Sequence, residues 1–195
     1  MRYPKEHREE KRREILRSAA RLFRERGYDG TGIDMIMEAC GLTRGGFYGY
    51  FESKERLFAE IMDGEHDFIV RLENRDGETL AELREQALEV IGGYLAPENR
   101  EGVVRGCSIA ALSLDVGRHE AAGESYGNAV RKLAEELGKG VARSQTPDGR
   151  ALASIALCVG ALLVSQAVTD DELADDMESA ALQACRRLLE GRPLS

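Results

Sequence analysis

Apolar residues recur at steps of three and four along most of the chain, and polar or glycine-rich breaks separate the runs. Between Lys5 and Arg26, Ile15, Ala19, Leu22 and Phe23 mark one face while Arg13, Arg17, Arg21 and Arg24 take another, which predicts an amphipathic helix. Gly27 is placed to stop it, and Asp29-Gly30 is a turn signal. Thr31 is expected to N-cap a short second helix carrying Ile33, Ile36, Met37 and Cys40, closed by Gly41. Thr43 is expected to cap a third short helix running through Tyr50. Ser53 is expected to cap a longer fourth one with Leu57, Phe58, Ile61 and Met62.

The same spacing continues downstream. Leu80, Leu83, Ala87, Leu88, Ile91 and Leu95 form one stripe, and a more polar run spans roughly His119 to Arg143. Two final helices, roughly Pro147 to Val168 and Asp171 to Leu189, read as antiparallel neighbours joined by a short acidic turn. Acidic residues at the start of the last helix and Arg186 and Arg187 near its end suit the helix macrodipole. No alternating strand pattern appears, so the predicted class is all-α.

Composition narrows the picture. With 43% hydrophobic and 32% charged residues in 195, the chain can bury a core, which excludes a disordered chain and a disulfide-stapled miniprotein. The four cysteines, Cys40, Cys107, Cys158 and Cys185, lie far apart without metal-ligand spacing and are expected to be reduced and mostly buried. The N-terminal stretch is charged throughout and never reaches an apolar stretch of signal-peptide type, so a cytoplasmic location is expected. Ala151 to Thr169 contains no charge. Five alanines, with Ser154, Gly160, Ser165 and Gln166, make it read as a helix buried in the protein or at a subunit interface rather than a membrane span.

The net charge of -8 hides an asymmetry. Residues 1–56 hold 13 basic and 10 acidic groups, against 14 basic and 25 acidic in the remainder. A basic end on an acidic body suits contact with a polyanion by that end alone.

The segment Thr31 to Phe51 places two short helices around Cys40-Gly41-Leu42, with Ile36, Cys40, Leu42, Phe47 and Tyr50 positioned to pack them together. That arithmetic fits a DNA-binding helix-turn-helix and also a plain helical hairpin. The run GYDGTGIDMIMEACGLTRGGFYGYFESKERLF, however, resembles the DNA-binding signature of TetR/AcrR-type transcriptional regulators. The resemblance implies an N-terminal three-helix helix-turn-helix DNA-binding domain, residues 1–52. It also implies a helical ligand-binding and dimerisation domain, residues 53–195, about nine helices in all.

It further implies that the third helix enters the major groove of double-stranded operator DNA, with Thr43, Arg44, Gly45 and Gly46 nearest the bases and phosphates. Arg44 is the expected base reader, able to bond a guanine edge in bidentate fashion or to lie on a phosphate. Gly45-Gly46 allows close backbone approach. Tyr48 and Tyr50 carry phenols that can donate to phosphates, Tyr50 also fitting the core. Lys54 at the start of the fourth helix, and Thr31 before the second, are expected at phosphates, and Lys5, Arg8 and Arg12 at flanking ones. Gly46, Gly49 and Met37 depart from the family pattern, so sparse base readout is expected, with more reliance on phosphate contacts and DNA shape.

A single helix-turn-helix grips half a site, so a homodimer with recognition helices about 34 Å apart is expected. Ala156, Leu157, Gly160, Leu163, Val164, Met177, Ala181, Ala184 and Leu188 are its candidate interface. The resemblance also implies a pocket for a small-molecule effector that antagonises operator binding. Phe68, Leu72, Ile91, Leu95, Cys107, Ala111, Leu114 and Tyr126 are candidate lining, equally readable as core, and carry few charges, which favours an apolar or amphipathic ligand.

Gly106 to Gly117 resembles the cysteine-bearing helix of electrophile-sensing repressors in the same family, which makes Cys107 a candidate sensor thiol, with Arg105 nearby, or a structural cysteine. His7, His66 and His119 are isolated, and neither a catalytic constellation nor a phosphate loop is present, so no enzyme activity, cofactor, metal or membrane partner is expected. The alternative to a ligand-responsive repressor is a helical ligand-binding module that has lost DNA binding.

Overall fold

The structure is a computed structural model that describes residues 5–64, 66–97, 107–141 and 148–193. All regular elements among these residues are helical, as the spacing predicts. The contacts divide the chain into two compact units, Met1–Gly64 with Ala111–Gly127, and Glu65–Ala110 with Asn128–Ser195.

In the first unit, α1 (Lys5–Arg26) ends at Gly27, which takes φ +73°. Only glycine adopts that conformation without a steric penalty. The following turn is held from inside. Thr31 is fully buried, and its hydroxyl lies 3.1 Å from the Leu22 carbonyl oxygen and 2.9 Å from that of Gly27. This corrects the expected cap: the N-cap of α2 (Ile33–Glu38) is Gly32, and no side chain caps it. Gly41, at φ +66°, then reverses the chain, with the Leu42 N–H bonded to the Met37 carbonyl at 2.8 Å.

The next element is a 3-10 helix, Arg44–Gly49, rather than an α-helix through Tyr50, and Thr43 precedes it without a side-chain cap. Ser53 does cap α3 (Lys54–Asp63), accepting from the Arg56 N–H at 3.1 Å. A six-residue helix has no stability of its own. These short elements stand because Ile36, Met37 and Phe47, all at 0% exposure, pack into the core of Ile15, Ala19, Phe23, Leu57, Phe58 and Met62. Each such large side chain contributes about 1.5–3 kcal/mol on burial.

Residues 111–127 complete that core although they lie far away in sequence. α6 (Ser108–Ala111) leads into α7 (Ser113–Arg118) and a 3-10 turn, Glu120–Ala122. Leu112, Val116 and Ala122 are buried in the first unit's core, and the Ser125 hydroxyl donates to Asp63 at 2.8 Å.

The second unit contains α4 (Asp67–Glu73), α5 (Leu80–Tyr94), most of α8 (Gly123–Gly138), α9 (Gly149–Ala167) and α10 (Asp171–Leu189). The polar run that began at His119 thus resolves into a 3-10 turn and α8; Arg143 and Pro147 lie outside the described residues. Thr79 and Glu82 form a capping box at the start of α5. Arg75, 3% exposed, donates to the carbonyls of Leu72 and Leu83 at 2.7 Å and to that of Glu136, tying α4, α5 and α8 together.

α9 and α10 pack as an antiparallel hairpin. Cys158 faces Cys185, and seven residues further along α9 the Ser165 hydroxyl meets Glu178 at 2.7 Å, seven residues back on α10. Asp170 caps α10, accepting from the N–H groups of Glu172 and Leu173. Among the described residues α9 is the one helix long and apolar enough to cross a membrane. Its inward face of Ala151, Ile155, Cys158 and Leu162 is buried.

Candidate nucleic-acid interface

The 3-10 helix presents a mixed surface because its pattern alternates what faces in and out. Phe47 is fully buried and anchors it, with the ring of Phe51 at 5.7 Å. Arg44 and Tyr48, both 62% exposed, stand on the outside. Tyr48 is steadied edge-on against Phe47 at 5.4 Å. A Cβ placed on Gly45 or Gly49 would meet nothing within 4 Å, and one on Gly46 would meet only the Met37 Cε at 3.6 Å. No packing inside the unit therefore requires these glycines, and the backbone at this surface is bare.

The other expected residues separate into outward and inward groups. Thr43 is exposed, and Tyr50 is half-buried against the core. Thr31 is turned inward, fully buried with its hydroxyl bonded to the Leu22 and Gly27 carbonyls. Lys54 also turns in: its Nζ donates to the Tyr28 carbonyl at 2.6 Å and lies 3.9 Å from that ring's centroid. Burial lowers its pKa below the ordinary lysine value.

Arg12 pairs with Glu60 and lies over the Phe51 ring at 4.6 Å. Arg8 donates to the Gly49 carbonyl, so it braces the C-terminal end of the 3-10 helix. The side chain of Lys5 is outside the described set.

Sequence reasoning missed two features here. Asp34, in the first turn of α2, pairs with Arg44, Oδ2 to Nη1 at 2.6 Å. Behind this surface, Tyr28 gathers four side chains from three segments: its hydroxyl donates to Glu55 at 3.0 Å, Lys54 caps its face, Phe23 stacks at 5.6 Å, and the His119 ring lies at 3.9 Å. Burial and the Glu55 carboxylate push the Tyr28 phenol well above its ordinary range. The Gly-aromatic pair at 27–28 was the available signal, but nothing local pointed to His119.

The candidate pocket residues fall in both units. Phe68, Leu72, Ile91 and Leu95 are buried in the second unit, with Phe68 against Tyr94 at 4.7 Å. Ala111 and Tyr126 pack on the core of the first. Leu114 is 76% exposed, because its place on α7 points away from the Leu112 and Val116 face. Cys107 is half-buried; Arg105 and Gly106 are outside the described residues. An open cleft in the second unit is lined instead by Asp148, Arg150, Leu188, Gly191 and Arg192. Of the interface candidates, Ala156, Leu163 and Val164 are exposed, Leu157, Gly160, Met177, Ala184 and Leu188 intermediate, and Ala181 buried in its own hairpin. Leu152 and Leu173, at 39% and 49% exposure, extend the exposed apolar surface.

The fold and this exposed surface define a class, an all-helical protein with an N-terminal helix-turn-helix. Residues 15–61 match the family model described as bacterial regulatory proteins, tetR family. The HTH-type transcriptional regulator AcrR of Shigella flexneri is 35% identical over 101 residues, covering 49% of this chain and 47% of that protein. The HTH-type transcriptional repressor DhaR of Mycobacterium sp. (strain GP1) is 27% identical over 107 residues, 54% of this chain and 52% of that one. The matched chain thus spans about half the length of these relatives. The reduced form of E. coli NemR shares the fold, with a TM-score of 0.73 at 21% identity over 90% of this chain and 95% of that one. A TetR transcriptional regulator from Chloroflexus aurantiacus J-10-FL does so at 0.73 and 22%, over 96% and 98%. Residues 15–61 are thus similar to the helix-turn-helix segment of the tetR family, and the chain as a whole shares the fold of the solved TetR-type structures.

Proposed function

We propose that this chain is a ligand-responsive transcriptional regulator, a repressor that binds double-stranded operator DNA as a homodimer and is released by a small molecule. The observation that carries the reading is the pair Arg44 and Tyr48, exposed on a helix anchored by Phe47 and flanked by glycines with open space before them. An arginine so presented can donate two hydrogen bonds to a guanine edge. Tyr48 and the backbone N–H groups of the glycine-rich turn suit phosphates. Thr43, Gly45, Gly46 and Tyr50 remain part of the proposed surface; Thr31 and Lys54 support it from within. The N-terminal domain proper is proposed as residues 1–52, with the remainder as effector and dimer domain.

Dimerisation is proposed through α9 and α10. Leu152, Ala156, Leu163 and Val164 leave apolar surface on a helix without charge from Ala151 onward, which is costly to expose. For the effector, Phe68, Leu72, Ile91 and Leu95 supply an apolar interior that suits an apolar or amphipathic molecule. Cys107 supports a second reading as an electrophile sensor, because it is half-buried where Cys40, Cys158 and Cys185 are buried.

The test is titration of the purified chain against a duplex covering its own upstream region and a scrambled duplex, at several salt concentrations, with Arg44→Ala alongside. Selective binding that weakens with salt and is lost in Arg44→Ala supports the reading. Equal, weak binding to both duplexes and to fragments selected genome-wide overturns it in favour of a module without DNA binding. For the second reading, release of DNA by N-ethylmaleimide from Cys107→Ser as readily as from the unaltered chain excludes Cys107.

A further inference from the structure

We infer that Asp34 is a positioning residue for base readout: its carboxylate holds the Arg44 guanidinium so that the free edge is presented to a guanine in each operator half-site. This rests on the operator-binding reading above. The Asp34–Arg44 contact joins Oδ2 to Nη1 at 2.6 Å, between the first turn of α2 and the first residue of the 3-10 helix. Both side chains are about two-thirds exposed, at 65% and 62%. An ion pair in that setting contributes little to folding.

Its geometry matters more. A guanidinium has five N–H donors in a rigid planar fork. With Nη1 engaged by Asp34, the edge formed by Nε and Nη2 stays open, and that edge matches the O6 and N7 acceptors of guanine. A long side chain fixed before binding loses less rotamer freedom on binding. A carboxylate on a surface that meets phosphates also repels them, so Asp34 weakens binding to every duplex while sharpening the choice among them. Among its neighbours on the 3-10 helix, Gly45 and Gly49 offer Arg44 no side chain, and Tyr48 rests on Phe47.

The experiment uses the full chain and a random-sequence duplex library, enriched by repeated binding and sequenced. Affinities are then measured for the selected duplex and for versions with each G·C pair replaced. Arg44→Ala is expected to lower discrimination at one G·C pair per half-site by about ten- to a hundredfold. Asp34→Ala is expected to lower it at the same pair by about three- to tenfold while binding unselected duplex more tightly. Asp34→Asn, which keeps the acceptor and removes the charge, should retain most of the discrimination and still gain unselected binding. In the Arg44→Ala background, Asp34→Ala should change discrimination no further, the mark of a residue acting through another.

Unchanged base preference in Asp34→Ala, or an equal loss in the Arg44→Ala background, overturns the positioning role alone. A motif that Arg44→Ala leaves intact also overturns it. Enrichment of no sequence by the unaltered chain overturns the DNA-binding reading, and this inference with it.

Discussion

Lys54 lies against Tyr28, its Nζ 3.9 Å from the ring centroid and 2.6 Å from the Tyr28 carbonyl oxygen. A lysine at the start of a helix next to a DNA-reading surface invites assignment to a phosphate. Here it closes the turn between α1 and α2 onto α3, and the same ring meets Glu55 and His119. The substitution Lys54→Met, which keeps the stem and removes the cation, is therefore expected to lower the stability of the chain. Urea unfolding followed by circular dichroism measures this; an unchanged midpoint with weakened DNA binding would return Lys54 to the phosphates.

Thr31 supplies the parallel case with an isosteric probe. Thr31→Val removes a buried hydroxyl that serves two carbonyls and is expected to cost about 1 kcal/mol of stability. At a temperature where both proteins are fully folded, DNA affinity should be the same. A loss of affinity without a loss of stability would contradict the inward role.

Gly41 takes φ +66° with open space where a Cβ would sit. Gly41→Ala thus tests backbone conformation without a clash, and about 1–2 kcal/mol of destabilisation is expected. Gly45→Ala, with ordinary backbone angles and equal space, should leave the melting temperature unchanged or raised, and its effect should fall on DNA binding.

Acid should act through Glu55. Hydrogen bonds from its own backbone N–H, from Ser53 and from Tyr28 hold the carboxylate below its ordinary pKa of 4.5. A carboxyl whose pKa is lower in the folded chain contributes stability that is fully present above about 4.5 and fades as pH falls through the folded value. Glu55→Gln should therefore flatten the acid side of a stability profile below about pH 4.5. Equal slopes for the two proteins would show that other carboxylates dominate.

The thiols should differ in reactivity. Cys158 and Cys185 lie 3.7 Å apart inside the α9–α10 hairpin, where their mutual hydrogen bond and burial push the Cys158 thiol up. Cys40 is buried as well. Titration with a thiol reagent under native conditions should find Cys107 first, and the remaining three only on unfolding. Fast reaction persisting in Cys107→Ser would show that the hairpin opens.

By itself, the amino-acid sequence determined the all-helical class, the stop at Gly27, the reversal at Gly41, the Ser53 cap and the burial of Phe47. Each follows from local backbone preference or from a repeat of three and four, which neighbouring residues fully specify. It also determined two short helices around Gly41, because glycine placement and apolar spacing there act over some twenty residues; that they form a helix-turn-helix came from the resemblance of residues 27–58 to TetR/AcrR-type regulators. Only tertiary structure decided the destinations of long or polar side chains: Lys54 to Tyr28, Arg12 to Glu60, Thr31 into the core, Asp34 to Arg44. It also decided that residues 111–127 complete the first unit's core, carrying His119 to Tyr28 and leaving Leu114 in solvent. Periodicity says which face of a helix is apolar but not which distant segment covers it. A charged side chain several bonds long can satisfy itself equally in water, on a phosphate or against a ring, and the choice falls to whatever the fold brings within a few ångströms.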